Sequence, residues 1–362
     1  MQWEKFFRQN LEAVQPYQPG LREEQIKQIA KVATIHKLSS NESPLPPFPA
    51  ALAAMAEQLV NLNEYPDGSA YGLIHLLSSH YGVAPEQIIC GNGSNEIIDQ
   101  IAQTCLGPED EVLYCAPSFV VYQSSAMIAG AGYRELPIRA DGSYDLAALK
   151  AAITPQTKIV YICTPNNPTG GVVKQTELAE FLNGLPEQLL VVVDAAYEEF
   201  VDDPEAAHPL DFYDGIRPYA VLRTFSKMYS LAGIRVGYGF APQPVVERVN
   251  KVRAPFNVNS VAQAAAQASL GDTQELAFRR ALNAAGRERL SSCFAELNLK
   301  HFASQANFVW VEVEDAMTVF NELLARGIIV RTFGGVQGLR VGVGDEQGVS
   351  DTIRAFQDLF AY

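Results

Sequence analysis

Between residues 88 and 240 short apolar runs recur along the chain: Ile88–Cys90, Glu111–Cys115, Lys158–Cys163, Leu190–Val193, Ala220–Thr224 and Arg235–Phe240. A strand with one wet face alternates apolar and polar residues. Most of these runs do not alternate, so they predict strands covered on both faces. Amphipathic stretches such as Glu96–Cys105 and Gln175–Asn183 lie between several of them and predict covering helices. Strands and helices in this succession predict an α/β domain around a mostly parallel sheet. In such sheets ligands bind at the carboxyl ends of the strands, so the chemistry should follow the runs directly.

The flanks read differently. Near the start stand Pro16-Tyr17-Gln18-Pro19-Gly20 and a helical segment, Arg22–Lys31. After residue 257 come an Ala/Gln-rich helical run, Val261–Leu270, and a longer helical pattern through Leu290. Asn307–Val313, Gly327–Arg331, Leu339–Val343 and a final helix near Gly348–Phe360 follow. This pattern predicts a smaller α+β domain to which the N-terminal segment returns. The expected division is 41–256 for the large domain and 1–40 with 257–362 for the small one.

Composition narrows the function. A chain of 362 residues with 48% hydrophobic content can bury more than one core. A net charge of −14 argues against a protein that works by neutralising nucleic-acid phosphates. Cys90, Cys105, Cys115, Cys163 and Cys293 form no Cys-x-x-Cys pair, and the five histidines show no zinc-enzyme spacing, so no metal is expected. The charged opening residues and the lack of any run near the roughly 20 apolar residues needed to span a bilayer predict a cytoplasmic enzyme without a membrane segment.

Three segments carry candidate chemistry. Thr164-Pro165-Asn166-Asn167-Pro168-Thr169-Gly170 follows a strand; its prolines and glycine stop the strand and rigidify a turn, as in many surface loops. Val191-Val192-Val193-Asp194 ends a buried run in an acid, which serves as a helix cap or as a carboxylate that keeps a heterocyclic nitrogen protonated. Thr224-Phe225-Ser226-Lys227 precedes Leu231-Ala232-Gly233-Ile234-Arg235-Val236-Gly237-Tyr238. Lysines are normally solvated. This one follows an apolar strand and a hydroxyl pair, with a guanidinium eight positions on, an arrangement able to supply an amine and a phosphate cradle.

In this order the three segments resemble the fold-type-I pyridoxal-5′-phosphate (PLP) aminotransferases, from about Leu38 to Val343. The resemblance implies an aspartate-aminotransferase-like large domain, with PLP held on Lys227 as the Schiff-base lysine. It makes Asp194 the partner of the ring nitrogen and Asn167 and Tyr197 partners of the ring oxygen. Gly91-Asn92-Gly93-Ser94-Asn95-Glu96 then becomes a phosphate-binding turn at a helix start, where free N–H groups attract an anion. Gly93, Ser94 and Asn95 cover the phosphate there with Thr224, Ser226 and Arg235, while Phe119 stacks on the ring.

Within this fold the closest likeness is to the histidinol-phosphate aminotransferases. It is carried by Pro16–Gly20, Lys37-Leu38-Ser39-Ser40-Asn41-Glu42-Ser43-Pro44, Asn63-Glu64-Tyr65-Pro66-Asp67-Gly68 and Gly327–Arg331. Pro44-Leu45-Pro46-Pro47 departs from the pattern, which more often has Gly after Asn-Pro-x. The resemblance implies that Tyr17, Asn41, Arg331 and Arg340 bind substrate: histidinol phosphate in one half-reaction, glutamate or 2-oxoglutarate in the other. It makes Tyr65 a residue that reaches the partner subunit's cofactor phosphate, hence a homodimer with shared sites. Aromatic amino-acid aminotransferases and threonine-phosphate decarboxylases are the rival readings. A transcription regulator built on this fold would need a DNA-binding module before the core, and few residues precede it.

Overall fold

A computed structural model describes residues 6–16, 32 and 34–360 of the chain. Its strands are β1 (His36–Lys37), β2 (Ile88–Gly91), β3 (Glu111–Ala116), β4 (Gly132–Pro137), β5 (Thr157–Cys163) and β6 (Leu190–Asp194). They continue with β7 (Tyr219–Thr224), β8 (Gly237–Phe240), β9 (Phe308–Val311), β10 (Ile328–Ile329), β11 (Arg331–Thr332) and β12 (Leu339–Gly342).

Seven strands form the central sheet, in the order β2-β8-β7-β6-β5-β3-β4. The pairs from β4 through β7 are parallel, and β8 runs antiparallel to both its neighbours. Strands β6, β7 and β8 are buried at every position, as runs without alternation require. The expected α/β class and mostly parallel sheet are therefore present. One strand was not legible: β4 has an exposed or half-buried residue at every position because it is the sheet edge, and so it contains no apolar run. The last run also begins later than read, since Arg235 has a φ of 61° and the strand starts at Gly237.

A second, smaller core lies over the antiparallel sheet β11-β12-β9, where Val309, Val311, Leu339 and Val341 meet Leu290, Phe294 and Phe356 from two helices, Thr273–Glu296 and Glu346–Phe360. β1 pairs in parallel with β10, so the chain after residue 34 does return to this unit. Residues 8–10 do not: Arg8 and Asn10 donate to the carbonyls of Met127 and Ile128 on a helix of the larger unit. The helical reading of Arg22–Lys31 falls outside the described residues.

The helix Ser260–Leu270 buries Ala262, Ala265, Ala266 and Leu270 in the larger core. A division at 256/257 would part it from the surface it packs on. We propose that the boundary runs instead through the start of Thr273–Glu296. That long helix is bolted to the larger unit by guanidiniums. Arg279 donates to Pro46 O at 2.8 Å and lies 4.3 Å over the Phe48 ring; Arg280 reaches Glu199 O at 2.7 Å and Arg287 reaches Asp202 Oδ2 at 2.7 Å.

The smaller core depends on few large side chains. Phe356 is fully buried and meets Phe294 edge-on, ring centroids 4.8 Å apart. We predict that Phe356→Ala lowers stability by about 3–5 kcal/mol, read from chemical denaturation. A loss below about 1 kcal/mol would mean that this core repacks around the cavity.

Candidate active site

Because β5, β6 and β7 are parallel and in register, Cys163, Asp194 and Leu222 lie side by side at their carboxyl ends. The loops that leave these ends carry the three segments singled out above. They open onto one cavity of about 540 Å³. Asn41, Ser94, Asn95, Phe119, Asn167, Asp194, Tyr197, Thr224, Ser226, Lys227, Arg235, Arg331 and Arg340 all line it. Tyr17 lies outside the described residues.

Asp194 forms the dry floor. It is 3% exposed, accepts from Tyr122 Oη at 2.8 Å and from Ala196 N at 3.2 Å, and is held above the usual carboxylate range by burial. A carboxylate so placed is stabilised when a cation is brought against it. Lys227 Nζ donates to Ser40 O at 3.2 Å and stands 5.8 Å from the centre of the Tyr197 ring. Burial, then the charge of Arg340, bring its pKa down to about 8. Near neutral pH a useful fraction of Nζ is an uncharged nucleophile.

An anion cradle closes one end. The helix Ser94–Cys105 begins at the cavity wall and presents its unpaired first N–H groups. Arg235 is held beside it by Ala232 O at 3.2 Å, Ser226 Oγ at 3.3 Å and Asn92 O at 3.4 Å. Gly93 is not itself a wall residue; it lies behind Arg235, with φ 87°, and a Cβ there would sit 2.3 Å from Arg235 Nη2. Only glycine suits both the backbone angle and the approach.

At the other end Arg340 donates through Nη1 to Asn167 Oδ1 and through Nη2 to Ser39 O. Its guanidinium lies 5.4 Å from the centre of the Phe308 ring and 5.5 Å from that of Phe333. Arg331 is paired with Arg340 across β11 and β12, so both side chains leave the same face. Tyr197 Oη accepts from Asn41 Nδ2 at 2.8 Å, leaving its own proton to donate; Asn41 holds a φ of 54° to make that contact.

The Pro/Asn loop is knitted by Asn166, whose Nδ2 reaches Thr169 Oγ1 at 2.9 Å and Pro117 O at 3.1 Å, which frees the next residue, Asn167, to face the cavity. Arg223, buried one residue before Thr224, bonds Glu198 at 2.5 Å and Glu199 at 3.0 Å. That pair ties the turn after Tyr197 to the strand that leads to Lys227.

Comparison with known proteins resolves the family. Residues 33–356 match the family model described as aminotransferase class I and II. The histidinol-phosphate aminotransferase of Moorella thermoacetica is 40% identical over 359 residues, 98% of this chain and 93% of that protein. The corresponding Caldicellulosiruptor saccharolyticus enzyme is 38% identical, with 98% and 99% covered. The chain belongs to the class I and II aminotransferases, among the histidinol-phosphate aminotransferases. Among solved structures, the Sinorhizobium meliloti histidinol-phosphate aminotransferase in complex with pyridoxal-5′-phosphate superimposes with a TM-score of 0.87 at 25% identity, covering 98% of this chain and 97% of that one.

Enzymes of this family use PLP, and the donor set of this aminotransferase fits it. A phosphate would suit the helix start and Arg235, a pyridine nitrogen would suit Asp194, and an aldehyde would suit the partly neutral Lys227 amine. Tyr65 stands apart from this constellation: it is 83% exposed and stacks on Phe256, ring centroids 4.8 Å apart. Several site-building residues carried no sequence signal. Tyr122 sits in an ordinary apolar helix 72 residues before the acid it bonds, and Phe308 and Phe333 look like plain core and loop aromatics.

Three outcomes follow for this aminotransferase. Capture of the PLP aldehyde by cofactor-free protein requires uncharged Nζ, so its rate should rise with pH through about 8 and then level off. In Arg340→Ala the midpoint should move upward, because a neighbouring positive charge that disfavours the ammonium is gone. Stopped-flow absorbance measures both; a midpoint near the ordinary lysine value in wild type would contradict this account. Gly93→Ala should push Arg235 out of the cradle and weaken PLP binding at least roughly 10-fold in equilibrium dialysis, and unchanged affinity would show that the phosphate lies elsewhere.

Proposed function

We propose that this chain transfers the amino group of histidinol phosphate to 2-oxoglutarate with PLP as its cofactor, working as a cytoplasmic homodimer. The observation that carries the substrate assignment is the pairing of Arg331 with Arg340 on one face of β11 and β12, in the cavity that holds Lys227. Two guanidiniums suit a phosphate dianion. A single one suffices for the carboxylate of glutamate. The 40% identity to an enzyme bearing this name supports the same reading.

Lys227 would hold the cofactor covalently, with its phosphate on Ser94, Asn95, Ser226 and Arg235, its ring against Phe119, and Thr224 closing the same wall. The bound cofactor supplies an electron sink for the bond that breaks next to the amino nitrogen. Asp194 keeps a proton on the ring nitrogen, because its buried carboxylate is stabilised by an adjacent cation. Asn167 and Tyr197 donate to the ring oxygen. Lys227 Nζ, once free and uncharged, takes the proton from the carbon that bears the substrate's amino group. Arg340 and Arg331 hold the anionic end so that this carbon stays within reach of Nζ.

A second subunit suits the exposed apolar residues Leu59, Val60, Leu62, Tyr65 and Tyr71. From such an interface Tyr65 would reach the partner's phosphate site. Among the described residues no helix is long and apolar enough to cross a membrane.

Steady-state assays of Arg331→Ala with histidinol phosphate and phenylalanine test the substrate. The variant should lose about 10- to 150-fold in kcat/KM for histidinol phosphate, the worth of one charge-assisted contact, and much less for phenylalanine. Equal losses for both donors, or release of carbon dioxide from phosphothreonine by wild type, would overturn the assignment.

A further inference from the structure

We propose that Glu42 is a specificity residue of this aminotransferase, accepting the ring N–H of the substrate's imidazole. The inference rests on the histidinol phosphate reading and extends it to the end of the substrate that the arginines do not touch. Among the described residues that line the cavity, the carboxylates are Asp194 and Glu42. Asp194 is committed: it lies on the floor, bonded by Tyr122 and Ala196 and matched to the ring nitrogen of the cofactor. The other charged wall residues are cations: Lys227 would hold the cofactor covalently, Arg235 its phosphate, and Arg331 and Arg340 the substrate's anion.

A buried imidazole N–H without an acceptor would forfeit the hydrogen bonds it made in water. The loop 39–42 offers one. Ser40 O already accepts from Lys227; Asn41 gives its Nδ2 to Tyr197, and its buried, unpartnered Oδ1 belongs to a neutral amide, a weaker acceptor than a carboxylate. Glu42 is engaged only loosely, by Lys37 Nζ at 3.1 Å, in a pair whose side chains are 44% and 41% exposed. Such a surface pair is worth little and is readily given up to a ligand. The carboxylate lies close enough to the reacting centre for its charge to favour the Lys227 ammonium. Gln15 also faces the cavity, but a neutral amide is a weaker acceptor than a carboxylate.

The test compares histidinol phosphate with phenylalaninol phosphate, which carries the same amine and phosphate on a ring without N–H groups. For the PLP-loaded enzyme, the ratio of kcat/KM for the first over the second should fall about 10-fold in Glu42→Leu, the low end for a hydrogen bond to a charged group. Glu42→Gln, which keeps the shape and one acceptor oxygen, should fall less, and Lys37→Gln should leave the ratio in place. Calorimetric binding of the two phosphates to Lys227→Ala, which cannot complete the transfer, should show the same order without relying on turnover. A ratio unchanged in Glu42→Leu, or equal losses on both phosphates, would overturn the proposal, because Glu42 would then act through Lys227 or not at all. A fall reproduced by Lys37→Gln would assign the effect to the surface pair and overturn it as well. Absence of wild-type turnover of histidinol phosphate alongside good turnover of other donors would instead remove the substrate reading, and this inference with it.

Discussion

The parallel register of β5, β6 and β7 is the constraint on which the rest of the site depends. Cys163, Asp194 and Leu222 come level, so three loops that are remote in sequence leave the sheet at one place. A slip of one residue in β6 would turn Asp194 to the opposite face of the sheet. The fully buried valines before it, packed on both faces, make such a slip costly. Hydrophobic burial thus sets the position of a charge.

Around that frame, burial changes what each titratable group can do. Desolvation pushes Asp194 up and Lys227 down, so the charged form of each is held less firmly than in water until a partner of the right sign arrives. The cavity is therefore poised for a molecule with a cationic ring nitrogen and an electrophilic carbon. Its two ends divide the anions between them. In the proposed function the helix start with Arg235 would face the cofactor's phosphate, and Arg340 with Arg331 would face the substrate.

The smaller unit matters to the proposed function because it brings the two arginines. Arg331 and Arg340 belong to its sheet, while Asn167 and Lys227 belong to the larger unit. Contacts across the junction keep the two in step: Arg340 reaches Asn167, Asn307 Nδ2 reaches Asn41 O at 3.1 Å, and Arg279, Arg280 and Arg287 fasten the long helix. Loss of any one would shift Arg340 and Arg331 relative to Lys227, and small displacements of this kind between reacting groups are expensive in rate.

Much of this was legible in the sequence, because the features concerned are local. Apolar runs without alternation mark strands buried on both faces, and Asn167, Asp194 and Lys227 stand within a few residues of a strand end, where backbone geometry leaves little choice of position. The Gly93-Ser94 turn and the Arg235 run are likewise short-range signals. What only the tertiary structure decided are partnerships between distant segments: Tyr122 under Asp194, the two aromatic rings about Arg340, Arg223 between Glu198 and Glu199, and the attachment of Ser260–Leu270 to the larger core. The edge strand β4 belongs with them, since being an edge is a property of the assembled sheet. A residue's own neighbours in sequence fix its backbone tendencies and polarity, but which far group shares its dry cavity, and therefore how its pKa and hydrogen bonds are set, depends on packing that forms only when the whole chain has closed.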